Sequence, residues 1–362
     1  MKISVYAISK NESKFVDRWM DSMSEADEIV VLDTGSEDDT VEKLIRRGAI
    51  VKSEIINPWR FDVARNRSME LVSADADICV CTDLDEVFNK GWRNELEKVW
   101  YKGAGQAVYR YAWSVLPDGS DGVSFWYEKI HERNGYRWTH PVHEILERTD
   151  GKPSVKVRAE GVHLKHYPDP EKSRAQYLSL LEMSVKESPE DDRNMHYLGR
   201  EYMFRGRWDD CIKTLMRHLE MPSATWKDER AASMRFIARS YANKGDTASA
   251  RDWYLRAIAE APYLREAYVE SVRLLYTLGE WDGVIYFASC ALKIKERPET
   301  YMNDAEAWGA LPYDLRSIAY YYTGRYEKAL DDVKKALEHS PNDCRLQTNE
   351  RLIAAKCGDT VK

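Results

Sequence analysis

The chain of 362 residues predicts an α/β domain with a mostly parallel sheet, followed by an all-α array of helical repeats. Three observations predict it. Apolar strand-like runs alternate with helical segments from Met1 to about Tyr167. From Pro189 onward the composition shifts to helix formers punctuated by glycine and proline. An acidic cluster, CTDLDEVF at 81 to 88, stands where the fourth of the apolar runs ends.

The first strand is Ile3 to Ile8, an apolar run followed by a helical segment from Ser13 to Met23 with Ser13 as its N-cap. Glu28 to Asp33 is the second strand, Thr34-Gly35-Ser36 a turn, and a helix with acidic residues in its first turn continues through Arg47. Ala49 to Lys52 is the third strand, Phe61 to Ser73 a helix and Asp77 to Thr82 the fourth strand. Such alternation builds a parallel sheet covered by helices, and ligands of such sheets sit beyond the carboxyl ends of the strands. Asn11, Asp33 and Asp83 all fall there.

Asp83, Asp85 and Glu86 leave the apolar run Asp77 to Thr82. In an extended segment alternate residues face one way, so Asp83 and Asp85 point together into a crevice while Leu84 turns back to the core. Paired hard oxygen ligands suit Mg²⁺ or Mn²⁺ with substrate phosphates, and a strand-end carboxylate suits a ribose.

Composition narrows the classes. The formal charge of −7 gives no general attraction to nucleic-acid backbones or anionic membranes. No run of about 18 uncharged apolar residues occurs, so no membrane insertion is expected, and a soluble cytoplasmic protein is the reading. The six cysteines show no C-x-x-C pair, which favours buried thiols over disulfides or a zinc site. Five of the eight histidines, His131, His140, His143, His163 and His166, crowd between 131 and 166, inviting a metal or phosphate site. HPVHE at 140 to 144 lacks the H-E-x-x-H order, and Pro141 disfavours the helix that motif needs.

In the second half, Gly206, Gly245, Gly279 and Gly324 each separate two helical stretches, and Pro222, Pro262, Pro298 and Pro341 follow them by 16 to 19 residues. A unit of about 34 residues with a turn glycine and a closing proline resembles the tetratricopeptide repeat. The spacing is irregular, with an insertion around Glu299 to Leu311. Trp208, Trp281 and Tyr326 beside the turns are read as inter-helix packing residues.

ISKNE at 8 to 12, VVLDTGSEDDT at 30 to 40, WRFDVARN at 59 to 66, CTDLDE at 81 to 86 and HPVHE at 140 to 144 follow one another as in family-2 glycosyltransferases. KHYPDP at 165 to 170 resembles the H-Y-G segment closing their catalytic domain, with a departure at Pro168. The resemblance covers roughly residues 1 to 175 and implies a GT-A, Rossmann-like domain. It implies these domains: 1–175 catalytic, 176–190 a connecting helix, and 191–362 a tetratricopeptide-like solenoid. The architecture is similar to that of sublancin-type peptide S-glycosyltransferases.

The resemblance also implies roles. Asp33 would read the nucleotide base, with Asn11 or Glu12 near base and ribose; Arg65 would approach the uridine or its diphosphate. Asp83 would bind ribose and metal through water, Asp85 the metal directly, and His166 would complete the metal shell or contact phosphate. Glu144 is the leading general-base candidate for an inverting displacement. The expected cofactor is Mn²⁺ or Mg²⁺ and the expected donor a UDP-sugar. The acceptor is a peptide or protein, a glycan or a modified nucleobase, and the repeats dock the acceptor or a second copy of the chain. A sugar nucleotidylyltransferase would need a glycine-rich loop after the first strand, and Ser9 to Ser13 contains no glycine. A repeat scaffold with a decayed transferase domain is the non-enzymatic alternative; intact Asp33, Arg65, Asp83 and Asp85 argue against it.

Overall fold

A computed structural model describes residues 1–116, 118–171 and 175–359. The described residues form two compact units, Met1–Ser184 and Val185–Lys362.

The first unit opens with β1 (Ile3–Ser9), α1 (Ser13–Met23), β2 (Glu28–Asp33), α2 (Thr40–Arg46), β3 (Ile50–Ser53), α3 (Phe61–Glu70) and β4 (Ile78–Cys81). It continues through β5 (Glu86–Phe88), α4 (Trp92–Val99), β6 (Gln106–Ala112), β7 (Ser124–Glu132), β8 (Tyr136–Thr139), β9 (Ile145–Arg148) and β10 (Lys156–His166) into α5 (Tyr177–Glu187). The eight-stranded sheet has the order β3-β2-β1-β4-β7-β6-β10-β5. Its first four strands run parallel, as the alternation predicts. β7 then enters antiparallel between β4 and β6, and β5 closes the far edge antiparallel to β10, so the sheet is mixed. β8 and β9 form a separate antiparallel pair.

Each early element follows from its residues. In α1, Val16, Trp19, Met20 and Met23 are buried, the i, i+3, i+4, i+7 stripe of a helix lying on a sheet. Ser13 is the first helical residue and Glu12 occupies the cap position, one place earlier than the sequence suggests. β4 is apolar throughout and buried along its whole length, as a central strand covered on both faces must be. Each large apolar side chain buried in this way contributes about 1.5–3 kcal/mol. Trp19 also satisfies its ring N–H on Thr82 Oγ1 at 3.1 Å, so its burial leaves no orphan donor.

The second unit pairs α6 (Asp192–Phe204) with α7 (Trp208–Glu220), α8 (Lys227–Asn243) with α9 (Thr247–Glu260) and α10 (Arg265–Thr277) with α11 (Trp281–Lys293). The predicted insertion contains the one-turn α12 (Ala305–Trp308), after which α13 (Leu311–Tyr322) pairs with α14 (Tyr326–His339) and α15 (Cys344–Asp359) follows. The four turn glycines have φ between 69° and 82°, the left-handed conformation that closes a helix C-terminus. The aromatics beside the turns pack as read: Trp281 stacks on Tyr322 at 4.6 Å, and Tyr326 meets Tyr321 edge-on at 5.5 Å.

A Cβ at Gly245 would meet open space, so Gly245→Ala isolates the backbone cost. It should lower stability by about 1 kcal/mol with an unchanged denaturant m-value.

Candidate active site

The site begins where β4 runs out. Thr82 is fully buried, and the chain then folds into a turn in which Glu86 N–H donates to the Asp83 carbonyl at 3.0 Å. The two aspartates therefore stand on a turn and not on an extended strand. Leu84, 1% exposed, still points into the core between them. Glu86 completes the turn, its Oε2 accepting from Asp83 N–H at 2.9 Å. Sequence alone allowed Glu86 to be solvated; it is buried, because Tyr111 O–H (2.9 Å) and the Lys129 ammonium (3.4 Å) take its other oxygen.

Two buried cations answer this acidity. Arg65, on the inner face of α3, reaches Asp83 at 2.9 Å, donates to Glu144 through Nε and touches Cys81 Sγ at 3.4 Å. Its guanidinium also lies 5.3 Å from the Trp138 ring. Burial works against its charge, but Asp83 and Glu144 outweigh burial and hold it more firmly protonated than usual. Lys129, on β7, meets Asp83 at 3.1 Å; burial opposes its charge too, and Asp83 with Glu86 raises it well above the ordinary lysine value. Burial pushes the Glu86 carboxyl up.

Asp85 and His166 form a second, less enclosed pair. His166 Nε2 lies 3.4 Å from Asp85 Oδ2 while Nδ1 sits 3.0 Å from the Trp113 carbonyl. A carbonyl only accepts, so Nδ1 carries a proton, and in the neutral ring Nε2 presents its lone pair beside the carboxylate. Burial lowers this imidazole's pKa, but the Asp85 contact outweighs it and the net shift is upward.

The remaining predicted residues lie along the adjoining strand ends. Asp33 pairs in register with Ser9. Its carboxylate accepts from Ser9 Oγ (3.1 Å), Ser36 Oγ (2.5 Å), Gly35 N–H (3.1 Å) and Ser36 N–H (3.0 Å), so it organises the loop after β2. Asn11, at φ 54°, clamps the same loop, its N–H donating to Ser36 Oγ at 2.8 Å and its Oδ1 accepting from Glu37 N–H at 2.7 Å. Glu12 is buried, with its N–H on Thr40 Oγ1 at 2.8 Å. Arg65 thus bridges Asp83 and Glu144, Asp85 and His166 touch one another, and Asp33 and Asn11 shape the neighbouring loop.

Residues 4–146 match the profile described as glycosyl transferase family 2, and residues 310–343 match the tetratricopeptide repeat. The N-terminal unit is similar to family-2 glycosyltransferases. An uncharacterised glycosyltransferase of Rickettsia conorii is 35% identical over 99 residues, which span 27% of this chain and 34% of that protein, so the chain spans about a third of that relative's length. Among solved structures, MamA is 21% identical with a TM-score of 0.38, covering 49% of this chain and 99% of its own. Yeast Tom70 is 11% identical with a TM-score of 0.40, covering 52% and 38%.

Lys129 and Tyr111 are residues at the site that sequence reading missed. The signal was there: Phe125, Tyr127, Lys129 and His131 alternate along one strand, and a lysine among aromatics on the buried face needs an acidic partner. His166 stands at the acidic turn, but the histidines do not all gather there. His131 is a core residue, Nε2 on Tyr6 O–H at 2.8 Å and Nδ1 on the Glu132 carbonyl at 2.7 Å, while Trp138 N–H donates to the same tyrosine at 2.8 Å. His163 faces Asp121 at 3.1 Å, and His143 meets Tyr177 edge-on at 5.8 Å. His140 adopts φ 72° in the segment ahead of Glu144. Among the described residues, three metal-ligating side chains converge only in the repeat unit.

Removing the acid shared by two buried cations should be costly. Asp83→Ala should destabilise the protein by roughly 3 kcal/mol in chemical denaturation. Asp85→Ala, whose neighbour His166 can shed its charge, should cost less than about 1 kcal/mol.

Burial lowers the His131 pKa to about 4. The unfolded chain takes that proton near 6.5, so at acid pH it binds more protons than the folded state and stability falls as pH drops through this window. Between pH 7 and pH 5 the native protein should lose about 2 kcal/mol more than His131→Gln, compared by urea unfolding at each pH.

Proposed function

We propose that the chain is a metal-dependent, inverting glycosyltransferase taking its sugar from a nucleoside diphosphate, a UDP-sugar, in the cytoplasm. The observation that carries this reading is the meeting of Asp83, Asp85, Arg65, Glu144 and His166 just beyond the carboxyl ends of parallel strands, within a family-2 domain. Residues 1–175 would be the catalytic domain, 176–190 the connecting helix and 191–362 the repeats that dock the acceptor or a second copy.

The Asp85 carboxylate and the His166 imidazole fit a divalent cation: they are adjacent, half-enclosed, and tied down by the Trp113 carbonyl in the ligating tautomer. Mn²⁺ or Mg²⁺ held there would offset the negative charge gathering on the departing diphosphate. Asp83 is already matched by Arg65 and Lys129, which supports a part in holding ribose and only indirect contact with metal. Arg65, set between Asp83 and Glu144, acts on this reading as a positioning residue for those two acids more than as a diphosphate clamp.

Glu144 is the carboxylate proposed to accept the acceptor's proton. The acceptor heteroatom bonds to the anomeric carbon from the face opposite the diphosphate as the carbon–oxygen bond to the diphosphate breaks, which inverts the configuration. Asp33, with Asn11 and Glu12 behind it, borders the place for the base, and its ordered loop oxygens favour a rigid edge there.

UDP with Mn²⁺ should raise the melting temperature, by about 2.7 kcal/mol of added stability at a hundredfold excess over Kd. Asp85→Ala should remove the metal-dependent part of the rise and abolish transfer from nucleotide sugars, read by mass spectrometry. Transfer that survives a chelator undiminished in Asp85→Ala would overturn the metal assignment. A larger rise with another nucleoside diphosphate would overturn the uridine assignment.

A further inference from the structure

The repeat unit contains a polar cluster that its packing does not require. His196 on α6 and His218 on α7 are both fully buried, and Glu229 on α8 is 4% exposed. One ring nitrogen from each histidine and a Glu229 carboxylate oxygen lie within 4.8 Å of one another. His218 Nε2 is 3.3 Å from Glu229 Oε1, but neither it nor His196 Nε2 makes a hydrogen bond. Two buried imidazole nitrogens without partners are costly, and native cores rarely keep them without a reason.

The other ring nitrogens supply that reason. His196 Nδ1 lies 2.8 Å and His218 Nδ1 3.1 Å from a single atom, Ser233 Oγ. An oxygen with two lone pairs can accept from both rings; when it does, both take the Nδ1–H tautomer and both Nε2 lone pairs are bare. Metal-ligating histidines are held in this way, their second nitrogen fixed by an oxygen of the surrounding shell. Glu229 brings the compensating negative charge.

We propose that His196, His218 and Glu229 form a structural zinc site that ties α6, α7 and α8 together. Two imidazoles and a carboxylate suit a borderline cation such as Zn²⁺ and leave one position for water. The cation would bond the first helix pair to the helix that opens the next. The site is independent of the sugar-transfer reading.

The test uses the full chain carrying Asp85→Ala, so that the proposed donor-side metal ligand is absent. After chelator treatment and dialysis, incubation with zinc chloride should load about one equivalent per chain by elemental analysis and raise the melting temperature by about 5 °C. Co²⁺ in place of zinc should give the visible absorption of a four-coordinate site. His196→Gln and Glu229→Gln, each made in that background, should weaken zinc binding at least ~10-fold. With Asp85 restored, the response to UDP and Mn²⁺ should stay unchanged in both. Absence of both zinc retention and cobalt bands in the His196- and Glu229-containing protein would overturn the proposal without recourse to any variant whose folding is in doubt. Zinc retention by the two variants equal to that of the Asp85→Ala parent would overturn it as well.

Discussion

Two buried cations, Arg65 and Lys129, hold the acidic turn beyond β4 in the shape it has, and the neighbouring elements are arranged around them. Burying either charge alone would be prohibitive; both become tolerable because Asp83 lies between them, with Glu144 and Glu86 on their far sides. That requirement fixes more than the turn. It draws the inner face of α3, the middle of β7 and the segment after β8 towards one point. These acids are therefore presented by a scaffold that leaves them little freedom, which is the preorganisation an electrostatic site needs.

The parallel half of the sheet was legible because its strands are short, apolar and separated by amphipathic helices, so that period and length agree. The repeats were legible for a different reason: a positive-φ turn favours glycine, and four such glycines each stand between two helix-forming stretches. The mixed half, β5 to β10, in which β6 and β10 run parallel, offered no comparable signal. β7 mixes aromatics, a lysine and a histidine on its buried face, a pattern that calls for polar partners but does not name them: Glu86 and Tyr6 arrive from distant parts of the chain. The same holds for Asp83 and Asp85. Their identity as strand-end acids could be read, but the turn that carries them depends on the Glu86 side chain folding back onto Asp83, and local pattern does not encode that.

The histidines show where residue counting misleads. Crowding in sequence between 131 and 166 suggested one site, yet β-topology disperses these residues, placing His131 in a closed core triad with Tyr6 and Trp138 and His166 beside Asp85. The two histidines that do converge, His196 and His218, come together because consecutive helices of a repeat pack face to face.

The edges of the eight-stranded sheet carry a consequence for recognition. One edge is β3, four residues long, with Lys52 paired to Glu54 beside it, and the other is β5, only three residues long. Short, charged edges resist the addition of a further strand. An extended polypeptide therefore gains few main-chain hydrogen bonds along this sheet, and recognition of one would have to rest on side-chain contacts, read one residue at a time, instead of on the backbone common to every sequence.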